Sequence, residues 1–414
     1  MCGRPNHLEE RTGMKTGLTL EEAQQALCDN IDCLGTEKLP LGEALGRRLG
    51  SDITAPLDQP PFDRSPLDGY ALRAADTAGA CREHPVSLTV ADTLYAGDAP
   101  RVPVTPGRAV RVMTGAMLPP GCDCVLKQED TDMGSPVVEI YAALKPGDNY
   151  VYRGEDYRAG TCLLPAGSRV DAAAAGVLSS AGITEVPVRR RPRVGVLSTG
   201  DEVVEPGVRP LPAGKIYGAN LPLLLSRLRE LGVENVTGQL AGDDPQAVAE
   251  AMARMLETCD LLITTGGVSV GDKDIFHQAL PLLGAERVFW RLRLKPGSPA
   301  MFSRFQGKPI LSLSGNPFAA FTTFELLARP LLAALSGEPE LLPQREKAVL
   351  DTPFPKGSGI RRFVRGKCEN GHVSLPEGHS SGVLRSLAGC SCLVDIPAGD
   401  GPLAAGETVD ILML

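Results

Sequence analysis

At 414 residues the chain exceeds one ordinary core, so about two to four domains are expected. Its 43% hydrophobic and 22% charged shares fit a globular protein with ample core, and 46 glycines and 35 prolines point to turn-rich, β-rich parts instead of a helical bundle. The formal charge of −8 argues against nucleic acid or a membrane as partner, while leaving room for a local basic pocket.

The eleven cysteines form no C-x-x-C pair, and the two C-x-C pairs, Cys122/Cys124 and Cys390/Cys392, sit in unrelated segments. Reduced thiols of the cytosol are the favoured reading over a zinc site. The first residues, with His7, Glu9, Glu10 and Arg11, lack an apolar signal core, and no run of about twenty apolar residues follows. A cytoplasmic protein is expected.

In chain order, residues 1–16 read as a disordered leader. Thr19-Leu-Glu-Glu22 makes a capping box for a helix with Leu20, Ala23, Leu27 and Ile31 on one face. A second helical piece is expected over residues 41–49. Residues 55–72 are dense in proline, and each proline fixes φ and restricts its predecessor. This stretch is either a linker or a rigid loop presenting Asp63 and Asp68. Residues 85–145 read as short strands (86–90, 109–113, 124–128, 137–141) between Gly/Pro turns, with Thr114 and Gln128-Glu-Asp130 at strand ends. Arg153-Gly-Glu-Asp156 follows, and Asp171 is placed to cap an alanine-rich helix.

From Arg189 the rhythm changes. Short aliphatic strands alternate with helices, which predicts a parallel, doubly wound α/β sheet with its ligand at the carboxyl ends of the strands. Asn220 is read as the cap of a helix with Leu224, Leu228 and Leu231 on one face. Asp243-Asp244-Pro245 opens another helix, with an N1 proline. Asp260-Leu-Leu-Ile-Thr-Thr265 runs into Gly266-Gly-Val-Ser-Val-Gly271, then Asp272, Lys273 and Asp274 before a further helix, the pattern by which an α/β domain offers backbone N–H groups to an anion. Four turns fall on the predicted sheet edge: Thr199-Gly-Asp-Glu202, Thr265-Gly-Gly267, Lys295-Pro-Gly297 and Ser314-Gly-Asn-Pro317. After Pro343 a small β-barrel or sandwich is expected. Its clustered Arg361, Arg362, Arg365 and Lys367 form either a solvated face or a contact for an anion.

No P-loop or G-x-G-x-x-G occurs, and the histidines lie outside the glycine turns. Glycine turns with carboxylates and lysine fit chemistry done by positioning and a hard cation, Mg2+ bridging to phosphate. Each acid taken alone is better explained as a cap or surface residue, by roughly two to one. Asp201, Glu202, Asp272 and Asp274 gain weight by sharing one edge.

Pro60-Pro-Phe-Asp-Arg-Ser-Pro-Leu-Asp-Gly-Tyr70, Arg111-Val-Met-Thr-Gly115, Gln128-Glu-Asp130, Arg153-Gly-Glu-Asp156, Leu197-Ser-Thr-Gly-Asp-Glu202, Thr265-Gly-Gly-Val-Ser-Val-Gly271, Lys295-Pro-Gly297 and Gly315-Asn-Pro317 occur in an order that closely resembles the molybdopterin molybdenumtransferase family (MoeA-type, related to the gephyrin E domain). The resemblance runs from about residue 17 to the end. It implies a multidomain α/β subunit: a discontinuous helical domain I (17–55 and 146–188), a β-rich domain II (56–145), an α/β domain III (189–336) carrying the active-site turns, and a C-terminal β-barrel domain IV (337–414). It also implies a homodimer and a reaction in which adenylylated molybdopterin and molybdate give molybdenum cofactor and AMP, with Mg2+. Contacts with a molybdopterin adenylyltransferase and with recipient molybdoenzymes follow from the same resemblance.

By motif position it suggests Asp68, Asp156, Glu202 and Asp274 as catalytic. Thr114, Thr199, Gly200, Thr265, Gly266, Gly267, Ser269, Arg291, Lys295, Gly297, Ser314, Gly315, Asn316 and Pro317 would bind substrate. Asp243, Asp244, Asp274 and Glu202 would serve the metal, with Asp68 and Asp156 completing the site from other domains. The chain departs from the family where Ser314 replaces a usual proline, Ser298 a second lysine, Val151-Tyr152 more basic residues, and Gly218-Ala219 an acidic or serine pair. A tungstate-preferring paralogue, a molybdopterin adenylyltransferase and a non-enzymatic cofactor-binding scaffold stand as the alternatives.

Overall fold

The computed structural model describes residues 14–268, 274–378, 380 and 382–414. They divide into two compact units, one of Glu37–Val188 and one that joins the residues up to Thr36 to Arg189–Leu414.

The discontinuous unit is built on a seven-stranded sheet. In chain order its elements are β1 (Lys15–Leu18), α1 (Leu20–Cys28), β2 (Val194–Thr199), α2 (Asn220–Glu230), β3 (Val236–Ala241), α3 (Pro245–Thr258), β4 (Leu261–Thr265), α4 (Ile275–Leu283), β5 (Glu286–Leu292), β6 (Met301–Phe305), β7 (Lys308–Leu313) and α5 (Pro317–Thr323). The strands lie in the order β1-β5-β6-β7-β4-β2-β3. Residues 1–13 of the expected leader lie outside the described residues. Lys15 and Thr16, expected in that leader, instead pair with Phe289 and Trp290 as an edge strand.

Double winding follows from side-chain alternation. Val194 and Val196 of β2, Leu261 and Ile263 of β4, and Leu311 and Leu313 of β7 pack into one core with α1, α2 and α5. The intervening Leu197, Leu262 and Ile310 pack into a second core with α3 and α4. The sheet is mixed, where the sequence reading expected it parallel: β6 runs antiparallel to both neighbours. The cause is local. Gln306 and Gly307 both take positive φ (51° and 79°), so β6 and β7 join through a two-residue turn with Phe305 opposite Lys308.

The helix starts agree with their chemistry. Thr19 and Glu22 close the capping box on α1, and Asp244 caps α3 ahead of Pro245. Asn220 is the first residue of α2 and not its cap. α5 runs through a π-helical turn, Phe324–Ala328, into α6 (Arg329–Ser336). Pro317–Ser336 is long and apolar enough to cross a membrane, yet 94% of its 18-residue apolar window is buried.

Beyond it, β8 (Arg345–Leu350), β9 (Arg361–Glu369), β10 (His372–Ser374), β11 (Cys392–Ile396) and β12 (Thr408–Met413) close into a five-stranded barrel. The circuit is β9-β10-β8-β12-β11 and back to β9. Phe354, Val364, Val373, Val394 and Ile411 fill it.

The Glu37–Val188 unit carries a five-stranded sheet in the order 124–127, 69–72, 108–112, 86–94, 137–140. Its second strand, Gly69–Leu72, is buried throughout and lies in the stretch expected to be all loop. The helix expected over residues 41–49 is a single 3-10 turn, Leu41–Glu43. Asp171 caps Ala172–Ser180, accepting from the Ala174 N–H at 2.8 Å.

Candidate active site

β2, β3, β4 and β7 are all parallel, so their carboxyl ends share one edge. There the chain leaves a cleft of about 1180 Å³. Its floor is a hydrogen-bonded clip. Thr265 Oγ1 donates to the Ser314 carbonyl at 2.9 Å, and Asn220 Nδ2 donates to Thr265 Oγ1 and to the Gly315 carbonyl, both at 2.8 Å. The amide is thereby tied to the ends of β4 and β7 at once. Glycine is required at two places. A Cβ on Gly266 (φ 109°) would sit 2.5 Å from the Thr199 carbonyl, and one on Gly297 (φ 96°) would sit 2.3 Å from Thr323 Cγ2.

The walls carry charge of both signs. Glu202, Asp243 and Asp274 line the cleft, as do Lys295, Lys356 and Arg362. Asp243 is partly engaged: its carboxylate accepts from the Asp201 N–H at 3.1 Å while its own N–H donates to Asp201 Oδ1 at 3.0 Å. Glu202, Asp274, Lys295 and Lys356 make no ion pair among the described residues. The short strand Leu294–Lys295 lies parallel to β9 with Lys295 opposite Arg362, which sets the two cations side by side. The Arg362 guanidinium lies 5.8 Å from the Phe354 ring centroid, and its buried Nε has no hydrogen-bond partner among the described residues. Beyond Asp274, burial pulls the His277 imidazole below its ordinary value, with Asp274 pulling the other way.

Of the expected site residues, Thr199, Gly200, Glu202, Asp243, Gly266, Gly267, Asp274, Lys295, Gly297, Ser314, Gly315, Asn316 and Pro317 line this one cleft. Thr265 lies under it, in the clip. Asp244 spends Oδ1 on the Ala247 N–H at 2.8 Å, as the cap of α3. Arg291 lies over the Trp290 ring, 4.6 Å from its centroid. Ser269, Asp272 and Lys273 lie outside the described residues. Asp68, Thr114 and Asp156 belong to the Glu37–Val188 unit. There Asp68 accepts from both the N–H and the hydroxyl of Thr114 at 2.8 Å, bonds that hold its carboxyl below the usual range. Asp156 donates its N–H to the Gln59 carbonyl at 3.0 Å.

The basic strip of β9 divides by role. Arg361 pairs with Asp395 and Glu21. Arg365 is fully buried, stacked 3.9 Å from the Phe318 ring centroid and bonded to the carbonyls of Gly378, Ser380 and Val383. Lys367 pairs with Glu369 on the surface. Arg362 alone of the four lines the cleft. The sequence reading also missed Lys356, Ile216, Tyr217 and Ser380 there. Strand alternation could have separated Arg362 from Arg361, but only the register with Lys295 brings it to the site.

Three family models match the chain in order: the MoeA N-terminal region (domain I and II) over residues 18–182, a "Probable molybdopterin binding domain" over 195–334, and the MoeA C-terminal region (domain IV) over 347–414. The chain is 37% identical over 400 residues to molybdopterin molybdenumtransferase 2 of Mycobacterium tuberculosis, covering 95% of this chain and 98% of that protein. It is 33% identical to the molybdopterin molybdenumtransferase of Staphylococcus aureus, covering 96% and 95%. Solved structures of the molybdopterin biosynthesis MoeA protein of Pyrococcus horikoshii resemble it with TM-scores of 0.83 and 0.73, at 31% and 30% identity over 96% of this chain and 99% and 100% of theirs.

Proposed function

The chain belongs to the molybdopterin molybdenumtransferase family, and from that premise we propose that it inserts molybdenum into adenylylated molybdopterin and releases AMP. One observation carries the reading: Lys295, Lys356 and Arg362 line one cleft at the carboxyl edge of the sheet together with Glu202 and Asp274, and none of Lys295, Lys356, Glu202 and Asp274 makes an ion pair among the described residues. Charges of both signs gathered on one cleft without pairing to each other leave it open to a guest that carries both an anion and a bound cation. The cations suit an oxyanion and a pyrophosphate; the acids suit a cation bound to that pyrophosphate.

Mg2+ is bound through one or two carboxylates plus substrate phosphates, not by an all-protein cage. The donors fit that mode: among the described residues no three acids, histidines or cysteines converge on one point, yet three acids line the cleft. One or two of Asp274, Glu202 and Asp243 would hold the ion, and its chemistry would be to neutralise the pyrophosphate as the P–O bond breaks. Lys295 and Arg362 would hold molybdate as substrate and offset the charge developing on the leaving phosphate. Ser314 and Ser298 keep hydroxyls where the family usually has proline and lysine, so oxyanion charge falls more heavily on Arg362 and Lys295 here. Catalytic roles for Asp68 and Asp156, a substrate contact for Thr114, a cytoplasmic homodimer and the four-domain division over 17–414 belong to the same reading, as do contacts with an adenylyltransferase and with recipient molybdoenzymes.

The test supplies adenylylated molybdopterin, Mg2+ and molybdate or tungstate, and follows AMP. AMP release dependent on oxyanion supports the transferase. Binding without AMP leaves a cofactor scaffold, and ATP consumption with free molybdopterin makes the chain an adenylyltransferase.

A further inference from the structure

The charged walls of the cleft account for the anionic part of a ligand and leave one wall unexplained. Opposed to the cations in character, Val203, Ile216 and Tyr217 line the same cleft with apolar surface. Ile216 and Tyr217 are 55% and 38% exposed, an unusual state for an adjacent isoleucine and tyrosine that line a cleft. They are nonetheless fixed in place. The pair forms a parallel bridge to Val203–Val204, with the Ile216 N–H donating to the Glu202 carbonyl at 2.8 Å and the Gly218 N–H to the Val204 carbonyl at 2.9 Å. Tyr217 Oη donates to the Val208 carbonyl at 2.7 Å, which pins the ring at its far end.

We propose that Ile216 and Tyr217 form a preformed stacking platform for a planar, nitrogen-containing ring of the substrate, a part the phosphate- and oxyanion-binding groups do not serve. This rests on the reading that the substrate is an adenylylated pterin, and it names the side chains that select its ring. A ring pinned before binding loses little entropy on stacking. The volume agrees: about 1180 Å³ exceeds what an oxyanion and a pyrophosphate fill and suits a ligand of nucleotide size. Adenine and pterin share the flat π-face that such a platform takes.

The test is calorimetric binding of AMP and of 6-hydroxymethylpterin monophosphate to the full chain and to Tyr217→Ala and Tyr217→Phe, with tungstate titrated into each. Stacking on one aromatic side chain corresponds to roughly a tenfold or greater loss on truncation. Tyr217→Ala is expected to weaken one of the two ring probes by that factor, which identifies the ring. Tyr217→Phe keeps the π-face and stays within about threefold of the parent chain, and tungstate binding is unchanged in both. Unaltered ring binding in Tyr217→Ala overturns the platform, as does an equal loss in Tyr217→Phe, since the hydroxyl anchor alone would then explain it. If the parent chain takes tungstate but neither ring probe, the adenylylated-pterin reading itself fails.

Discussion

Arg362 is the residue on which the oxyanion reading turns. Its guanidinium lines the cleft, and its buried Nε has no hydrogen-bond partner among the described residues. Arg362→Ala is expected to raise the KM for molybdate at least about tenfold with a smaller change in melting temperature, and Arg362→Lys to recover only part, because a point charge does not reproduce the fork. An unchanged KM would return Arg362 to the solvated face of the barrel. Asp274 makes a different prediction. It caps α4 by position but makes no side-chain cap bond, so Asp274→Asn should cut turnover by about a hundredfold while moving stability by less than about 1 kcal/mol. Comparable loss of both would make the residue structural. Asp260 carries no chemistry in this account, although it opens the stretch that first pointed to the site. It accepts from Arg190 and Arg193, at 2.8 to 3.2 Å. Burial pushes its carboxyl up, the guanidinium bonds push harder the other way, and it settles well below its ordinary 3.8. A carboxyl depressed in the folded state stabilises above the unfolded value and loses that stabilisation as pH falls through the folded one. Asp260→Asn should therefore lower stability near neutrality and flatten its decline below about pH 4; parallel curves for the two proteins would contradict this.

At the scale of elements, the helical run from Pro317 to Ser336 holds the barrel and sheet parts of the discontinuous unit around one buried network. Glu325 accepts from Arg227 at 2.7 and 3.2 Å and from Arg329 at 2.9 Å, and Arg329 goes on to the Leu341 and Leu342 carbonyls. Glu325→Gln leaves the buried Arg329 without its counter-charge and Arg227 with Glu230 alone, and should cost about 3–5 kcal/mol in urea unfolding; a loss under about 1 kcal/mol would mean that Arg329 finds another partner. Elements with a local signature were legible in the sequence. The capping box at Thr19, the Asp244-Pro245 start and the period-two and helical runs after Arg189 carry their cause within a few residues. Elements whose cause lies elsewhere were not. Gly69–Leu72 becomes a strand because Arg108–Val112 and Cys124–Lys127 flank it. Lys15–Leu18 becomes one because β5 offers an edge. The same division runs through the site. Its glycine turns and acids announce themselves by motif, whereas Arg362, Lys356 and Tyr217 reach the cleft only by strand register and loop packing.

For the whole molecule, a sheet edge, a barrel strand and an exposed apolar arm line one cleft, which the proposed anionic, ring-bearing substrate would fill. The proposed homodimer predicts a sedimentation-equilibrium mass of twice 43.7 kDa at micromolar concentration; a monomer there would remove any contribution of one subunit to another's site. The central claim is that metal insertion and loss of the nucleotide are one coupled event in this cleft. It is tested most directly by a single-turnover reaction with adenylylated molybdopterin in which AMP and cofactor-bound molybdenum are quantified together, with and without molybdate. The account predicts equal amounts of both, with negligible AMP when molybdate is omitted. AMP released at the same rate without molybdate, and no metal in the cofactor, would contradict it.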